Sequence, residues 1–65
     1  MNKLAENVLA IIKEMQSPKK QRFSANDLIG KGFSESEAKI AIDELEKQGL
    51  IEVNYDYVNH SFKLL

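Results

Sequence analysis

The hydrophobic period of this chain changes once, at Gly49, and that change restricts the available folds more than any other feature. Before Gly49, apolar residues recur every three or four positions, the spacing of helices that bury one face. After it, Ile51, Val53 and Tyr55 alternate with Glu52, Asn54 and Asp56, and Phe62 and Leu64 alternate with Ser61, Lys63 and Leu65. Alternation of this kind marks half-buried strands. The two runs read as a hairpin whose turn lies within Asp56–His60, where Asp56 and Asn59 tolerate tight turns. The chain is therefore α+β, with helices first and a hairpin last.

The helical part is punctuated clearly. Residues 2–16 are predicted to form an amphipathic helix, with Leu4, Val8, Ile11, Ile12 and Met15 at helical spacing and Lys3, Glu6, Lys13 and Glu14 on other faces. Ala5 and Leu9 widen its apolar stripe. Together with Ile12 they mark a seam that either meets a second internal element or joins two copies of the chain through this helix. Ser17-Pro18 ends the helix, because a residue before proline is pushed out of the helical region. Lys19, Lys20, Gln21 and Arg22 form a basic connector to a short extended segment at Phe23.

Ser24 stands three residues before Asp27, and Ser34 three before Glu37. Both pairs can satisfy the free backbone donors at a helix start. The first starts a short helix that buries Leu28 and Ile29, stopped at Gly30-Lys31-Gly32, where glycine can take the left-handed conformation of a helix end. The second starts a helix over Ser34–Gly49. On a helical projection Ala38, Ala41, Ile42 and Leu45 share its buried face, whereas Ile40 lies on the far side with Glu44 and Lys47, exposed. Gly49 is the expected left-handed cap, with Leu50 folding back on the last turn.

Sixty-five residues, 43% of them apolar, support one domain over 1–65 and a single core. They leave no room for a separate substrate domain. The absence of cysteine removes disulfides and thiolate chemistry, which suits a reducing cytoplasm. No membrane span is expected, because no run approaches ~18 consecutive apolar residues. Catalytic residues and cofactors are not expected either. No nucleophile has an evident base, and Gly30-Lys31-Gly32 is too short for a phosphate loop and follows a helix rather than a strand. His60 lacks companions at ligand spacing, so no metal site is expected.

Helix, extended segment, short helix, glycine turn, capped helix and hairpin, in this order and length, resemble the winged helix-turn-helix. Asp27-Leu28-Ile29, Gly32-Phe33-Ser34 and the run from Ile42 through Ile51 carry the likeness. Within that run, Leu45-Glu46-Lys47-Gln48-Gly49-Leu50-Ile51 is similar to the Leu-Glu-Lys-x-Gly-Leu-Ile signature of MarR-type and related bacterial repressors. The resemblance covers essentially the whole chain. It implies a small regulator of transcription whose third helix enters the major groove of double-stranded DNA while the hairpin, or wing, touches the backbone. Ser34, Ser36, Lys39, Ile40 and Asp43 would then face the bases. Where MarR-type proteins often carry a basic residue, this chain has Ile40. Lys19, Lys20, Arg22 and Lys31 in the connectors, with His60 and Lys63 in the wing, would meet phosphates.

Charge opposes part of that picture. Residues 1–33 hold six basic and three acidic groups, +3, and residues 34–65 hold three basic and seven acidic, −4, which together make the net −1. From Ser34 to Gly49 five acids (Glu35, Glu37, Asp43, Glu44, Glu46) face two lysines. DNA affinity rises with each phosphate neutralised, so this helix needs cations from elsewhere. A protein-interaction module is the competing expectation, with exposed Ile40 among carboxylates as the anchor for a basic partner. One of Tyr55 and Tyr57 should pack beneath the hairpin and the other stand on its surface, available to stack.

Overall fold

Each helix begins on a hydrogen bond between a side chain and a backbone N–H group at its first turn. In the computed structural model, which describes residues 2–55 and 60–65, the Asn2 side chain accepts the Ala5 N–H at 2.8 Å and opens α1 (Lys3–Met15). Ser24 and Asp27 form the capping box of α2 (Ala25–Ile29). At α3 (Glu35–Lys47) the Glu37 N–H reaches Ser34 Oγ at 3.1 Å and the Ser34 N–H reaches Glu37 Oε1 at 2.9 Å. Glu35 and Glu37 lie in the first turn of α3 and Lys47 in the last, matching its dipole.

Both α2 and α3 close in the same way. The Phe33 N–H returns to the Leu28 carbonyl and the Gly32 N–H to Ile29; likewise Leu50 returns to Leu45 and Gly49 to Glu46. This double closure needs a left-handed residue, supplied by Gly32 at φ 105° and Gly49 at φ 73°. The first reversal turns α2 into α3, and the second launches β2 (Ile51–Tyr55).

β2 pairs antiparallel with β3 (His60–Leu64), from Ile51 opposite Leu64 to Tyr55 opposite His60. The extended segment at Phe23 does more than connect. As β1 (Phe23–Ser24) it pairs with β3, giving a three-stranded antiparallel sheet in the order β1-β3-β2. Phe62 on the central strand thus stands between Phe23 and Val53. The two phenyl rings lie 6.2 Å apart. They join Val8, Ile12, Leu28, Ala38, Ala41, Leu45 and Ile51 in one core. The hairpin turn and Tyr57 fall outside the described residues.

This packing decides one alternative and corrects one expectation. Of the alternatives for the α1 stripe, Ala5 and Ile12 take the internal one: both are fully buried in the core, with α1 lying against α3, while Leu9 is partly exposed. Ile29 does not share the burial of Leu28 and is 41% exposed, because the closure after one and a half turns leaves α2 too short to bury both. Among the described residues no helix is long and apolar enough to cross a membrane.

Candidate functional site

The outward side of α3 carries the exposed residues Ser36, Lys39, Ile40, Asp43 and Lys47. Small Ala38 and Ala41 let the opposite side approach the core closely, and Leu45 anchors it there. Ile40 is 54% exposed, as its angular position requires.

Beside this helix lies a surface groove of about 440 Å³. Three elements build it. The start of α2 contributes Ser24, Ala25 and Asn26; α3 contributes Glu35, Lys39, Ile42 and Asp43; and the sheet contributes Val53, Tyr55, His60 and Phe62. Ala25, Ile42 and Val53 supply apolar surface, with the fully buried Phe62 behind them. Glu35, Lys39 and Asp43, spaced four residues apart, form a ladder along one flank of α3.

Tyr55 is held at the groove by polar contacts rather than by burial. It is 62% exposed, its hydroxyl donates to Glu46 Oε1 at 2.6 Å, and its ring meets His60 edge-on at 5.0 Å between centroids. The hydrogen bond to Glu46 raises the phenol above its ordinary range, helped by desolvation and by the negative charges of Glu46 and Asp43. Glu46 is thereby drawn toward the sheet, and Glu44 accepts from Gln48 Nε2 at 2.9 Å. Of the two tyrosines expected to differ in exposure, Tyr55 is exposed and Tyr57 lies outside the described residues.

The structure divides the remaining residues singled out above. Lys39, Asp43 and His60 come together in the groove. Ser34 is committed to capping, while Ser36 and Ile40 stand on the open side of α3. Lys20 sits at the α2 start, 3.6 Å from Asp27 and 5.8 Å above the Phe23 ring. It also closes a small turn with Ser17, on which Lys19 is exposed. Arg22 and Lys63 go elsewhere. Phe23, Phe62 and Leu64 face the helices, so alternation turns Arg22, Ser61 and Lys63 to the other side of the sheet. There Arg22 Nη1 lies 3.4 Å from Ser61 Oγ and Lys63 pairs with Glu52 at 3.7 Å. Lys31 adjoins Ile11, Glu14 and Met15 of α1.

The positive residues therefore do not gather around α3. The sequence reading also omitted Asn26, and it gave Glu35 and Glu46 no place beside the hairpin. The shared parity of Tyr55 and Val53 is the signal that would have placed Tyr55 on the helix side of the sheet, within reach of α3. Among the described residues no group of His, Asp or Glu side chains is arranged to hold a metal. No family model, curated protein or solved structure matches this chain.

Proposed function

We propose that this chain is a winged helix protein that binds double-stranded DNA through the outward side of α3, with the β2–β3 hairpin as its wing. One observation carries the reading: the α2 start and the end of the hairpin flank the same α3 surface, across a single groove. A 13-residue helix such as α3 is about 20 Å long, and the major groove, about 12 Å wide, admits it. Ser36 and Lys39 have the donors and acceptors to meet base edges, and Ile40 the apolar surface to meet a thymine methyl. Lys20 at the α2 start, Lys19 exposed on the turn before it and Lys47 on the helix are the cations available to phosphate. Regulation of transcription is the role that fits such a module.

Few cations mean weak, salt-sensitive binding. With two to four phosphates neutralised, log affinity should fall against log salt with a slope between about −2 and −4. Random-sequence duplex at ~20 mM salt, followed by titration to higher salt, tests this. Absence of binding at the lowest salt overturns the reading.

A second reading rests on the carboxylates. Glu35, Asp43 and Glu46 on one flank of α3, with Ile40 exposed on its open side, suit a basic protein partner. Ile40→Glu separates the two. Loss of a purified partner with duplex binding retained favours the interaction module, and the reverse favours DNA.

A further inference from the structure

We propose that the groove between α3 and the sheet binds a small organic cation: an aromatic or similarly flat apolar body bearing one protonated amine or amidine. The apolar surface of Ala25, Ile42 and Val53 matches the body of such a molecule, and the carboxylates of Glu35 and Asp43 match its charge. Ion pairs among the described residues join Lys20 to Asp27 and Lys63 to Glu52, and neither involves the groove carboxylates.

Tyr55 is the feature that makes the groove a prepared site. A ring this exposed is not held by hydrophobic burial, yet Glu46 and His60 fix its position at the groove wall. Tyrosine rings attract cations at their faces, and an aromatic already held in place loses little freedom on binding. The hydroxyl is a donor engaged with Glu46, so it adds no further anion.

Size selects a free small molecule over a protein partner. A volume of about 440 Å³ lies within the range of small-molecule sites, roughly 300–1,000 Å³. A stable protein interface needs a patch of roughly 800 Å² on each partner, and the groove is one notch bounded by three elements. Small anions inside the groove are disfavoured by Glu35 and Asp43, which outnumber Lys39.

The test is an NMR titration of the whole chain with benzamidine, with benzoate, benzamide and N-acetyl-arginine amide run in parallel. Benzamidine is expected to give saturable shifts at Lys39, Asp43, Tyr55 and His60, with benzoate and benzamide at least about tenfold weaker. Glu35→Gln with Asp43→Asn should weaken benzamidine about tenfold, and Tyr55→Leu should weaken it without altering the free protein's dispersed spectrum. Equal binding of benzamide or benzoate, or shifts mapping outside the groove, overturns the proposal. Arginine amide binding as tightly as benzamidine overturns it too, in favour of a peptide side chain. No nucleic acid enters the measurement, so its failure and that of the DNA reading are separate results.

Discussion

The two faces of the three-stranded sheet are made from the same short strands, yet they have opposite chemistry. Phe23, Phe62, Leu64, Ile51 and Val53 turn toward the helices, and at the hairpin end Tyr55 and His60 continue that face out into the groove. The other face carries Ser61, Lys63 and Glu52, with Arg22 reaching Ser61. Parity alone decides this. His60 and Lys63 are three residues apart and look like one group on the hairpin in the sequence. An odd spacing on a strand puts them on opposite sides. Arg22, next to Phe23, is separated from the groove for the same reason.

The helix-side face should be far more sensitive to change. Phe62→Ala removes the ring that both neighbouring strands pack against, at a cost of roughly 3–5 kcal/mol, a large part of what a domain this size has. Urea denaturation followed by circular dichroism should show most of the cooperative transition lost. Retention of near-native stability would mean that the sheet is not anchored through its centre. Gly49→Ala tests the reversal that launches the sheet. A Cβ there meets nothing within 4 Å, so only the left-handed backbone conformation is penalised, by about 1–2 kcal/mol. The same denaturation measurement reads it.

Duplex binding compares the faces directly. Lys47→Ala should make the salt slope shallower by about 0.9, whereas Lys63→Ala should leave it unchanged. An equal effect from both would place the polyanion across the sheet rather than along α3. The Lys63–Glu52 pair, half-exposed on both sides, should contribute least to stability. A double-mutant cycle is expected to give about 0.2–1 kcal/mol, diminishing with salt.

The Tyr55–Glu46 contact predicts a pH signature for the groove face. The folded-state pKa of Tyr55 is raised, so the folded form holds that proton more tightly than the unfolded chain does. The stabilising contribution is present in full below the ordinary tyrosine range and is lost as pH climbs through the raised value. In a Tyr57→Phe background, tyrosinate absorbance should appear at higher pH than in the same variant carrying Glu46→Gln. Identical titrations would show that the hydrogen bond does not persist in solution.

Much of the architecture was legible in local chemistry. Ser24/Asp27 and Ser34/Glu37 specify helix starts because capping involves residues three apart; Gly32 and Gly49 specify stops because a left-handed φ excludes most side chains. The change of period at Gly49 specifies strands. These features act over a few residues, so the linear order contains them. The exposure of Ile40 and the burial of Leu45 follow from angular position in the same way.

Tertiary structure alone decided the partners. Pairing of β1 with β3 joins Phe23 to Phe62, residues separated by most of the chain, and the register of β2 against β3 sets Tyr55 opposite His60. Burial of Ala5 and Ile12 depends on α3 lying against α1, which no spacing within α1 reveals. Whether a lysine stands beside a carboxylate or behind a sheet depends likewise on how elements pack. The amino-acid order determined which segments could form and where they stop, since those are short-range backbone matters; the location of each charge was left to long-range contacts that bring distant segments together.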